Sequence, residues 1–71
     1  MVTAKPRISI RITEGIAEVV VVGCLDCELG RDWFHADDLH ELRRSAKWLG
    51  VPAAEVYDRL LAARGREQVA A

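Results

Sequence analysis

The sequence has little with which to cross a membrane or to attract nucleic acid. No apolar run is longer than Val19 to Val22, far short of the roughly 20 residues that a spanning helix needs. The opening MVTAKPRISI holds neither an apolar core nor a small-residue cleavage site of the kind an export signal carries. The expected compartment is therefore the cytoplasm, where a structural disulfide between the two cysteines is not expected. The formal net charge is −1, so the whole molecule has no basic field to draw it to DNA or RNA. Also missing are a nucleophile beside a base, a phosphate-cradling loop and a close carboxylate pair. The acidic residues Asp26, Glu28, Asp32, Asp37 and Asp38 read as solvated surface. The expectation is a protein that is not an enzyme.

What is present is enough for one small domain. The chain has 71 residues, of which 51% are apolar, which argues against disorder. A domain of this size buries only about 60% of its unfolded surface. A metal or a second copy often supplies the rest of its stability. The cationic residues are mostly arginine, and alanine and valine are abundant, a composition in keeping with a GC-rich actinobacterial or phage gene.

Arg7 to Thr13, RISIRIT, alternates isoleucine with polar residues, the period of a half-buried strand. Glu14-Gly15 reads as a two-residue turn, and Ile16 to Cys24 as a second, valine-rich strand. Counting outward from the turn, Arg11 faces Glu18, Ile10 faces Val19 and Ile8 faces Val21. One face then carries Ile8, Ile10, Ile12, Ala17, Val19 and Val21. The other carries Arg11 and Glu18 as a cross-strand ion pair, with Val20 and Val22 beside them. Two valines on that face suggest a partner surface made of Arg11, Glu18, Val20 and Val22. A lone hairpin is marginal and leaves two edges unpaired, so a homodimer through the hairpin is expected.

Cys24-Leu25-Asp26-Cys27 follows, then a turn over Glu28 to Asp32 and the aromatic pair Trp33-Phe34, expected to plug the gap between sheet and helix. Cys24, Cys27, His35 and His40 are spaced C-x2-C-x7-H-x4-H. Thiolates and imidazoles can close a tetrahedral zinc site. Cysteines at a hairpin end and histidines at a helix start resemble the layout of two-Cys, two-His zinc fingers, although the gap between Cys27 and His35 is shorter. The cofactor expectation is none, or one structural zinc; without metal, the cysteines are packed thiols.

Asp38 and Glu41 have the spacing of a capping box before a first helix with Leu39, Leu42, Ala46 and Leu49 on one face. Gly50 ends it. Pro52 opens a second helix with Ala53, Val56, Leu60 and Ala63 as its stripe, Tyr57 and Leu61 beside them, and Gly65 at its end.

Ala46, Leu49-Gly50-Val51, Val56 and Leu60 resemble the helix-turn-helix of DNA-binding proteins over residues 42–61. Such a motif places a small residue at the closest approach of two helices and a glycine at their turn. The resemblance implies a DNA surface made of Arg44, Ala53, Ala54, Tyr57, Arg59 and Arg64. Two departures stand beside it. Ser45 occupies a position that is usually apolar, and the second helix offers Asp58 and Glu55 to the phosphates. Ala36 to Gly50 also resembles a helix of small bacterial and phage domains of unknown function.

The expected fold is α+β, ββαα: an N-terminal β-hairpin packed on two C-terminal helices. Residues 1–6 form a flexible start, 7–65 the domain and 66–71 a frayed tail. The expected function is that of a small regulator or adaptor that binds a protein, as phage accessory proteins and inhibitors do. DNA binding through residues 42–61, or a zinc-stapled binding module, is the alternative.

Overall fold

The computed structural model describes the backbone of residues 6–69 and the side chains of residues 6–66. Its α+β architecture is a three-stranded antiparallel sheet followed by two helices. β1 (Arg7–Thr13), β2 (Ile16–Val22) and β3 (Glu28–His35) lie side by side in chain order. A single 3-10 turn, Cys24–Asp26, joins β2 to β3. α1 (Leu39–Leu49) packs on β3, and α2 (Ala53–Val69) packs on β1.

Turn chemistry sets the register of β1 and β2. Glu14 (φ 52°) and Gly15 (φ 79°) both have positive φ, the signature of a tight I′ turn, whose twist suits a hairpin. Thr13 therefore faces Ile16, and the pairing runs without slippage to Arg7 opposite Val22. Ile8, Ile10, Ala17, Val19 and Val21 are buried on the inner face.

The stretch read as connector and turn is the third strand. Ala17 faces Phe34, Val19 faces Asp32 and Val21 faces Gly30, and the register shifts between Val21 and Val22. Trp33 and Phe34 consequently part company. Phe34 enters the core at 4% exposure, whereas Trp33 stands 55% exposed on the opposite side of the sheet. A Cβ at Gly30 would lie 2.9 Å from Leu49 Cδ2. The missing side chain is thus what lets the end of α1 settle on β3.

Asp38 caps α1 by accepting from the Glu41 N–H at 3.1 Å. Glu41 does not complete the expected box, because its carboxylate is turned toward His35. Leu39 lies outside the expected stripe and is half exposed, and Ser45 joins Leu42 and Ala46 inside. At the other end Gly50 (φ 75°) stops the helix. Val51 N–H donates to the Ala46 carbonyl at 3.0 Å, and Gly50 N–H to that of Lys47 at 3.2 Å. That pair of bonds satisfies carbonyls the helix would otherwise leave bare.

Pro52 sits just ahead of α2, where its carbonyl accepts from Glu55 and Val56. Val56, Leu60 and Ala63 are buried as the stripe requires. Gly65 does not end this helix, which continues to Val69. Residues 66–69 of the expected frayed tail are therefore helical, while residues 1–5, 70 and 71 lie outside the described residues.

Candidate functional site

The helices cover one face of the sheet, and the other face stays open. Alternation along the strands puts Ser9, Arg11 and Thr13 of β1, Ile16, Glu18, Val20 and Val22 of β2, and Arg31, Trp33 and His35 of β3 on that open face. The partner surface expected from the sequence is therefore brought together. Arg11 faces Glu18, and Val20 and then Val22 follow along β2, half buried by their neighbours.

The expected Arg11–Glu18 ion pair is not formed. Glu18 turns to β3, where its carboxylate accepts from Arg31 at 3.3 Å and from the Trp33 indole N–H at 3.2 Å. Arg31 also donates to Glu28 at 2.6 Å. That bond and the Glu28 charge raise the Arg31 pKa above its ordinary value. The competing partner lies on the strand that the sequence concealed. Its effect is to anchor the Trp33 indole on the open face, diagonal to Ile16 and Val20.

The zinc set is divided. Cys24 and Cys27 are exposed, free thiols at the turn that opens β3. His35 ends β3 and His40 lies in the first turn of α1. The seven strand residues Glu28 to Phe34, at about 3.3 Å each, separate the two pairs, so the four side chains do not meet. The premise that failed was a turn at Glu28 to Asp32; a strand there carries the chain the length of the sheet. Among the described residues no cluster of three or more His, Cys, Asp or Glu side chains is arranged to hold a metal ion.

The residues implied by the helix-turn-helix resemblance are scattered in role. Ala46 is buried where the helices approach and Val56 and Leu60 are buried beneath them. Ala53, Ala54 and Tyr57 border one depression with Leu39 and Arg43. Arg44 borders another beside Trp33 and Glu41. Arg59 faces β1. Arg64 is occupied, bonding the Ala36 carbonyl and Asp37.

The sheet edges differ in a way the sequence reading did not anticipate. In an antiparallel ladder, amides alternate between facing the neighbouring strand and facing away. The Ala36 N–H donates to Gly15 at 2.9 Å, which turns the amides of Trp33 and His35 outward. Both are capped by carboxylates: Trp33 N–H donates to Asp32 at 2.9 Å and His35 N–H to Glu41 at 2.8 Å. The His35 ring Nδ1 lies 2.8 Å from the same Glu41 oxygen. The backbone hydrogen bond from His35, then its side chain, and more weakly the charge of Arg44, hold the Glu41 carboxyl below its ordinary pKa. On β1 the same alternation turns the amides of Ile8, Ile10 and Ile12 outward, and among the described residues no side chain caps them.

No protein-family model matches the chain, and neither a curated protein nor a solved structure matches it. No described helix is long and apolar enough to cross a membrane.

Proposed function

We propose that this chain is a small, non-catalytic regulator or adaptor that binds protein through the open face of its sheet. One observation carries the reading: Ile16, Val20, Val22 and the exposed Trp33 share a face that no described helix covers, with Trp33 anchored through Glu18. Tryptophan with a fixed polar handle and an exposed body is suited to an interface centre. Arg11, Arg31 and His35 around it supply the polar rim that such patches carry. The first partner is a second copy of the chain, with the two open faces packed together. Light scattering tests this directly. The wild type should have about twice the 7.9 kDa chain mass, and Val20→Glu should return it to one. A wild-type protein that stays at the mass of a single chain at high concentration overturns the dimer. A crosslinked partner lost on Val20→Glu would then identify another protein on the same face.

A second reading keeps the helix-turn-helix resemblance, favoured by the buried Ala46 and the left-handed Gly50 at the corner of α1 and α2. Salt-sensitive retardation of random duplex DNA would support it, and no retardation at high protein concentration would remove it.

A further inference from the structure

We propose that the open edge of β1 and the groove between β1 and α2 take an extended acidic peptide, which adds to the sheet as a fourth strand. This rests on the protein-binding reading only in the class of partner; the surface is a different one.

The geometry supplies the backbone half of such a site. Ile8, Ile10 and Ile12 turn their amides and carbonyls away from β2, in the row that an added strand would pair with. Ile8 and Ile10 keep 7% and 5% exposure, while Val19 on the central strand keeps 0%, in keeping with main chain at an open edge. The helix side of the groove is lined by Ala62 and Ala63, whose small side chains leave room beside the strand.

Charge selects the partner. Arg7, Arg59 and Arg66 line one end of the groove and Arg11 and Arg66 the other, and among the described residues no acidic side chain lines either. Arg7 is paired with Asp26. Arg11, Arg59 and Arg66 form no ion pair among the described residues. An added strand alternates its side chains between the two faces. Carboxylates on one face would meet Arg59 and Arg66, and on the other Arg11. A second copy of β1 would instead bring arginines against arginines, which is repulsive. The β3 edge is the poorer site, because Asp32 and Glu41 already occupy its outward amides at Trp33 and His35.

The test is an amide-resolved NMR titration of the full chain with a seven-residue peptide, the length of β1, alternating glutamate and valine. Expected are shifts and slowed hydrogen exchange at Ile8, Ile10 and Ile12, with binding that weakens as salt rises. A lysine–valine peptide of equal length should not bind. The double variant Arg59→Glu, Arg66→Glu changes two exposed side chains and should keep the wild-type circular dichroism. It should weaken binding about tenfold or more. Val20→Glu should leave peptide binding unchanged. Unperturbed β1 amides at millimolar peptide, equal binding of the lysine peptide, or full binding by the arginine double variant would each overturn the site. Loss on Val20→Glu alone would transfer the peptide to the open face, overturning this inference while sustaining the proposed function.

Discussion

The two sides of the sheet are closed by different means. The β1 and α2 side is held by aliphatic burial: Ile8, Ile10, Val56, Leu60 and Ala63 meet there, and the backbone edge is left open. The β3 and α1 side has Phe34 and Leu42 in its core, but also Gly30, Asp32 and Ser45 at inward positions. Its cohesion draws on side chains that grip main chain: Glu41 on His35, Asp38 on Glu41, Arg64 on Ala36. Apolar burial is strong and indifferent to geometry. The polar grips are individually modest, yet the one from Glu41 takes up an outward amide of the β3 edge that another strand would need. One small domain thus leaves the outward amides of one edge bare and caps two of those on the other.

Four substitutions would break or sharpen that contrast. Leu60→Ala, under α2 at 1% exposure, should cost the most, about 2–5 kcal/mol in urea unfolding. For a domain of this size that approaches its whole stability. Gly50→Ala should cost roughly 1–2 kcal/mol, because a Cβ at φ 75° meets no neighbour and only the left-handed backbone is penalised. Thermal unfolding followed by circular dichroism would read it. Ser45→Ala should act in the opposite direction. The Ser45 Oγ is buried without a hydrogen-bond partner, so its removal should raise stability by about 1 kcal/mol.

Glu41→Gln should be the smallest of the four at neutral pH and the most informative across pH. A carboxyl held below its ordinary pKa takes up its proton more readily in the unfolded chain. The stabilisation it gives is therefore complete above the ordinary glutamate value, about 4.3, and is lost as pH falls through the depressed folded value. Wild-type stability should decline through that acid window, and the variant should decline less. Parallel acid titrations of the two would contradict the grip on His35.

The hairpin was legible because two local signals agreed: a Glu-Gly turn of fixed length, and isoleucines alternating on either side of it. The third strand was hidden because its inward positions carry Gly30 and Asp32, residues that disfavour strands, and because the register shift near Val22 breaks the alternation. Gly30 is there for Leu49, nineteen positions later in the chain, and no local window contains both. The alternation of Arg31, Trp33 and His35 on the other face was the available clue. Missing that strand misplaced three features together: Trp33, the partner of Glu18, and the distance from the cysteines to the histidines. The valine-bearing open face was legible because it depended on the hairpin alone. The capped and uncapped edges were not, since they follow from hydrogen-bond phase and from where Glu41 turns.

The placement of α2 on β1 sets an order of events during synthesis. Each strand pairs with the one before it, and α1 settles on the strand just made. The last element alone returns to cover the first. Ile8 and Ile10 therefore wait, with their apolar side chains lacking a lid, until Val56 and Leu60 have left the ribosome. A nascent chain arrested before residue 56 should be protease-sensitive across its whole length, and one released beyond α2 should close in a single step.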